Sequence, residues 1–214
     1  MILDPPQAKN TATPRRGIEA RRERQRQEAR RTILDAAQRL LSSSEGGDFS
    51  IRSLAENCGY SAPTIYYHFG DKEGVLTALL DEGLHALVLQ LAACGGSSSL
   101  DQLRSILLTF IRYSTDHPTF SGLLGSVSSQ PGVEMPPAFE EVKEHLDAPV
   151  RELIQTGQLG DFDTASAEQV LWALLHGLIA LQTAEPDHPW APGLAERAVD
   201  SLLRGMTAPA EVAQ

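Results

Sequence analysis

Apolar side chains recur along this chain at three- and four-residue intervals, and no stretch alternates with period two. The pattern therefore predicts helices throughout and no strands. The first stripe is Ile33, Leu34, Ala37, Leu40 and Leu41, a core-facing helix over about residues 23–42. A loop, SSSEGGD, ends it at Asp48. Ile51, Leu54 and Ala55 then form a short apolar face behind Ser50, a helix N-cap candidate, and Gly59 stands where that helix must stop in a left-handed conformation. Ser61 opens a second short helix. Pro63 takes its second position, where no backbone N–H is needed, so the Ser61 side chain can accept from the Thr64 N–H. Ile65 and Phe69 fall on the inner face of that helix, opposite Thr64 and His68.

Longer helices follow. Val75, Leu76, Leu79, Leu80, Leu84, Leu87, Val88 and Leu91 make a wide stripe over about residues 71–93, with Asp71 placed to cap it. A helix apolar over so much of its circumference is expected to be buried on two sides and to link two parts of the molecule. Ser99 and Gln102 read as a capping box for the next helix, which runs to Asp116. His117-Pro118 stops it, with His117 expected to cap its end. A short helix is predicted over 119–127, a proline-containing loop over 128–137, and a helix over 137–158 that Pro149 is expected to bend. Two more are predicted over 164–183 and 193–205. The fold class is all-α, with about nine helices and no internal repeat.

Charge divides the chain. Residues 1–72 hold 12 Lys/Arg against 9 Asp/Glu, while residues 73–214 hold 6 against 19. A cationic first third on an acidic remainder implies that one end alone meets a polyanion, so the overall acidity does not exclude nucleic-acid binding. Eight arginines crowd between Arg15 and Arg31, among them Arg22 and Arg26, and suit a phosphate-binding arm able to enter a narrow minor groove. The predicted organisation is a disordered basic arm over 1–22, a helix-turn-helix domain over 23–72, and a helical domain over 73–214. Cys58 and Cys94 stand alone, without a zinc-ligand spacing or a disulfide framework. The start, MILDPPQAKN, lacks the pattern of a signal peptide, and no apolar run reaches the ~20 residues that span a bilayer. The expectation is a reduced, cytoplasmic protein with no membrane partner and no cofactor.

Two short helices joined at Gly59, with small Ala55 at their crossing, form a helix-turn-helix. The run TIYYHFGDKEGVL, Thr64 to Leu76, resembles the signature of the TetR family of bacterial transcription regulators. The resemblance assigns Ser61, Ala62 and Thr64 to the start of a recognition helix, Tyr66 and Tyr67 to the duplex, and His68 to a phosphate. Lys72, beside the positive end of the following helix, and Ser50 suit further backbone contacts. Between Ser61 and Phe69 there is no Arg, Lys, Asn or Gln, so the strong bidentate readers of guanine and adenine are missing. Part of the sequence preference is therefore expected from the arginine arm and from DNA deformability.

The resemblance further implies that the second domain binds a small effector and forms a homodimer on a palindromic operator, releasing it when the effector binds. Trp172-Ala-Leu-Leu-His176-Gly177 is similar to a Trp/His-Gly pattern that names a subgroup of TetR C-terminal domains. Candidate effector-pocket residues are Phe110, Tyr113, Phe120, Leu124, Met135, Phe139, His145, Trp172 and His176. Candidate dimer contacts on the last two helices are Val170, Leu174, Leu178, Leu181, Ala198 and Leu202, with Gly177 permitting close approach across a two-fold axis. The Leu- and Ala-rich helices suggest an apolar or amphipathic effector.

Other classes have less behind them. No GxSxG, P-loop, HExxH, GxGxxG or paired-carboxylate motif is present, so an enzyme is not expected. Glu140/Glu144 and Glu141/His145 have metal-ligand spacing but read as a solvated acidic face. An architectural TetR-like protein without a ligand is the alternative, and a collapsed core lacking a pocket would favour it.

Overall fold

A computed structural model of the chain describes residues 13–43, 48–128 and 134–207, with the backbone alone over 13–16. Among the described residues there are nine helices and no strand. The helices are α1 Thr13–Ser43, α2 Ile51–Cys58, α3 Ala62–Phe69, α4 Lys72–Ala92, α5 Ser99–Asp116, α6 Pro118–Ser128, α7 Pro137–Gln155, α8 Thr164–Ala184 and α9 Leu194–Met206. The chain divides into two compact units, one ending at Lys72 and the other beginning at Glu73.

In the first unit, α1 lays Ala29, Ile33, Leu34, Ala36 and Ala37 inward, with Leu54 of α2, Ile65 of α3 and Phe49 also buried. Withdrawing each large aliphatic side chain from water contributes about 1.5–3 kcal/mol, which binds helices too short to be stable alone. The turn between α2 and α3 is written locally. Ser50 and Ser53 exchange side-chain and backbone hydrogen bonds in a capping box, Gly59 closes α2 at φ 73°, and Ser61 accepts from the Thr64 N–H. One expectation fails here. The arginine-rich segment continues α1 back to Thr13, so residues 13–22 are helical and not a disordered arm. Within this extension of α1 past its apolar stripe, Gln27 donates to Glu23 one turn back and Arg24 to the Ala20 carbonyl. The expected disorder of residues 1–12, and most of the loop before Asp48, lie outside the described residues.

In the second unit, α5 is the central helix: it packs on α6, α7, α8 and α9 and buries Leu103, Ile106, Leu107, Phe110 and Ile111. Arg104 grips Asp200 of α9 with both ends of its guanidinium, at 2.6 and 3.1 Å. Ser98, not Ser99, caps α5, accepting from the Asp101 N–H. Asp101 reaches back to Ser97 and Ser98, so the acidic residue fixes the register of the cap that the Ser99–Gln102 spacing had suggested. His117 closes α5, its N–H and its Nδ1 both directed at the Tyr113 carbonyl. Helix α7 carries Pro149 inside it and ends at Gln155, three residues before its predicted end, because Gly157 turns left-handed at φ 69°. Asp163 caps α8 through the Ser166 N–H.

By length and hydropathy, α4 and α8 are each apolar enough to cross a membrane, contrary to the reading that no segment qualifies. Their apolar residues are split between faces. In α4 one set is buried, including Leu80, Leu84 and Leu87, while Asp81 and Glu82 interrupt the helix midway.

Candidate nucleic-acid interface and effector cleft

The short α3 must bury Ile65, which is wholly inaccessible, and this turns the opposite side outward. Tyr67 is 72% exposed and Tyr66 50% exposed, so neither packs beneath the helix. Two adjacent aromatic rings are thus left in water on the outward side of α3. Ser61 and Thr64 share a 2.9 Å hydroxyl–hydroxyl hydrogen bond at the start of α3, next to half-buried Ala62. Ser50 is exposed at the start of α2, its hydroxyl engaged in the capping box.

Helix α1 supplies cations to this face. The Arg26 guanidinium lies 5.7 Å from the Tyr67 ring centroid, and Arg30 lies 4.7 Å from that of Phe69. Both are within cation–π range. Phe69, expected in the core, is therefore only half-buried beneath an arginine. Arg22 is exposed one turn before Arg26. His68 sits among these groups. Partial burial, then the positive charges of Arg26 and Arg30, hold its imidazole below the usual histidine range. Lys72 is bonded to Asp48 and lies 5.6 Å from the Phe49 ring centroid, so a phosphate there must displace a carboxylate.

The second unit gathers aromatic residues from three helices. Trp172 of α8 meets Phe110 of α5 at 5.9 Å, Phe139 of α7 at 5.8 Å and His176 at 4.5 Å between ring centroids, all edge-on. Burial pushes the His176 imidazole down, and its Nε2 has no hydrogen-bond partner among the described residues. Ser114 Oγ, one turn beyond Phe110, is buried and equally unpartnered. A cavity of about 290 Å³ opens beside this cluster between α7 and α8, near the lower end of ligand-site volumes. Phe139, Leu146, Val150, Leu171 and Trp172 give it apolar walls, and Lys143, Asp147, Glu168 and Gln169 give it polar groups.

Of the nine pocket candidates, Phe139 and Trp172 line this cavity. Phe110 and His176 stand behind them against Trp172. Tyr113 and Phe120 form a separate cluster with His117, and Leu124 is buried in α6. Met135 and His145 are half-buried and do not line the cavity. Sequence reasoning missed Lys143, Asp147 and Glu168. Their spacing was available, since Phe139, Lys143 and Asp147 share one row of α7, and Glu168 and Trp172 one row of α8. Of the four residues with metal-ligand spacing, Glu140 pairs with Lys143 and Glu144 with Arg151, while Glu141 is exposed and His145 half-buried.

Helix α8 shows a second face. Leu181 is 50% exposed, Val170 and Leu174 are half-buried, and a Cβ added at Gly177 would meet no atom within 4 Å. On α9, Ala198 and Leu202 are half-buried, whereas Leu178 of α8 is buried within the chain.

An α-helical chain whose second and third helices form a capped turn, with an exposed aromatic helix beside arginines, is a helix-turn-helix protein. Residues 33–79 match the model of a family described as bacterial regulatory proteins, tetR family. Over 74 residues it is 42% identical to the HTH-type transcriptional regulator EthR of Mycolicibacterium smegmatis, covering 35% of this chain and 33% of that protein. The chain thus matches about a third of the length of that curated relative. Two solved structures share the fold more widely. A protein of unknown function from Rhodococcus sp. RHA1 superposes with TM-score 0.69 at 23% identity, over 84% of this chain and 96% of that one. The transcriptional regulator FadR from Bacillus subtilis, in complex with stearoyl-CoA, superposes with TM-score 0.64 at 16% identity, over 82% and 98%.

Proposed function

We propose that this protein is a dimeric transcriptional repressor that leaves a palindromic operator when a small apolar or amphipathic effector occupies its second unit. The observation that carries the reading is the outward face of α3, where Tyr66 and Tyr67 stand exposed with Arg26 over the Tyr67 ring. Tyrosine hydroxyls, the Thr64 side chain and apolar contact from Ala62 read the groove, while Arg22, Arg26, Ser50, Ser61 and His68 engage phosphates. Lys72 joins them by exchanging Asp48 for a phosphate. The uncovered apolar face of α8, with Ala198 and Leu202 of α9, supplies the two-fold contact, and a dimer matches two half-sites one helical turn apart.

The cavity between α7 and α8 favours a ligand-responsive protein over an architectural one. The FadR structure is a ligand complex in this fold, which supports the same use here. Effector binding shifts the population toward dimers whose reading heads are wrongly spaced for adjacent grooves, and α4, continuous from Lys72, transmits the shift.

Fluorescence anisotropy of the purified protein tests this on the duplex upstream of its own gene, beside a scrambled duplex, from about 50 to 200 mM salt. Selective binding with a two-protomer footprint is expected. Steep salt dependence without preference would leave only the arginines engaged on that DNA and would count against an autoregulatory operator.

A further inference from the structure

The cleft between α7 and α8 combines apolar walls with carboxylates that have no ion-pair partner among the described residues. Lys143 has its ammonium 3.4 Å from Glu140, and Arg151 is bonded to Glu144. Asp147 and Glu168 line the cavity, yet neither has an ion-pair partner among the described residues. The two carboxylates are close enough to feel one another. Burial, then the charge of Glu168, raises the Asp147 carboxyl above its usual range, against the weaker opposing pull of Lys143 and Arg151. Two partly buried acids facing an apolar slot disfavour each other and would both be favoured by one cation. Trp172 and Phe139 pack edge to face in the same wall, 5.8 Å between ring centroids, and an aromatic face attracts an alkylammonium group as well.

We infer that this cleft selects amphiphilic monocations, an alkyl or aryl group lying against Phe139, Leu146, Val150 and Trp172 and a quaternary or protonated amine between Asp147 and Glu168. The inference rests on the proposed effector role and names its ligand class. The same face of α8 does not serve the dimer. Glu168 and Trp172 lie on one row of the helix, and Val170, Gly177 and Leu181 lie roughly on the opposite side. A ligand can therefore enter one side while the other stays paired.

Octyltrimethylammonium, 1-octanol and octanoate carry the same chain with three head-group charges. Each is titrated into the full-length protein carrying W190F, so that Trp172 is the sole tryptophan reporter. The cation is expected to bind at least tenfold more tightly than either of the others. D147N and E168Q, each checked by thermal melting, should each weaken the cation by about tenfold and leave octanol unchanged. Tighter binding of octanoate or octanol, or no change in the two variants, would overturn the cation preference while leaving the cleft as an effector site. No response to any of the three would overturn it too. Cation binding that does not alter anisotropy of the protein–operator complex would keep this inference and defeat the effector reading.

Discussion

The Tyr113 hydroxyl donates a 2.9 Å hydrogen bond to the Gly83 carbonyl, joining α5 to the middle of α4. The same glycine admits the ring of Phe120, because a Cβ there would lie 2.5 Å from Phe120 Cδ2. Phe120 in turn packs edge-on to Tyr113 at 5.1 Å between centroids. A hydrogen bond, a missing side chain and an aromatic pair thus hold one junction. Tyr113→Phe should destabilise the protein by about 1 kcal/mol in urea unfolding. Gly83→Ala should cost about 1–3 kcal/mol through overpacking, despite the better helix propensity of alanine. The two should be non-additive, because they share Phe120.

His176 makes stability depend on pH. Its folded-state pKa is depressed by burial from the usual 6.5, so the unfolded chain binds the proton first as pH falls. The stabilisation is complete above that value and is lost progressively below it. His68 is shifted the same way. The urea midpoint should fall between about pH 7.5 and 5.5, less so in H176N and least in the H68Q/H176N double variant. An unchanged slope in both variants would remove these histidines as the cause.

The phosphate contact proposed for Arg26 can be separated from its packing on Tyr67. R26A should reduce the salt slope of operator binding by about one unit and weaken binding on every duplex alike. It should change stability by no more than about 0.5–1 kcal/mol, the scale of an exposed cation–π contact. It should also raise the His68 pKa toward its usual range, visible in an NMR titration of the imidazole, since Arg26 is one of the charges that lower it.

Leu181 tests the dimer. It is half-exposed within the chain, so L181E should leave helicity and melting of the monomer intact while weakening self-association at least tenfold in sedimentation velocity. A dimer of unchanged affinity would place the two-fold contact elsewhere.

The helices, their class and the recognition motif were legible in the sequence because they are local. Ser50, Gly59, Ser61 and Pro63 act within one helical turn of their own position, and the 3.6-residue period marks the inward face without reference to any partner. The TIYYHFGDKEGVL run carried the family resemblance for the same reason: it is one short segment around a single exposed helix. Tertiary structure decided what depends on distant elements. Nothing near Phe69 in sequence announces Arg30 above it, and the α5 cap moved to Ser98 because Asp101 closes back on it. The cleft is the clearest case. Asp147 and Glu168 are 21 positions apart and read singly as solvated acids; only the packing of α7 on α8 sets both beside Trp172. Burial and mutual repulsion, which give such a pair its chemistry, are properties of the space between helices and have no local signature in the chain.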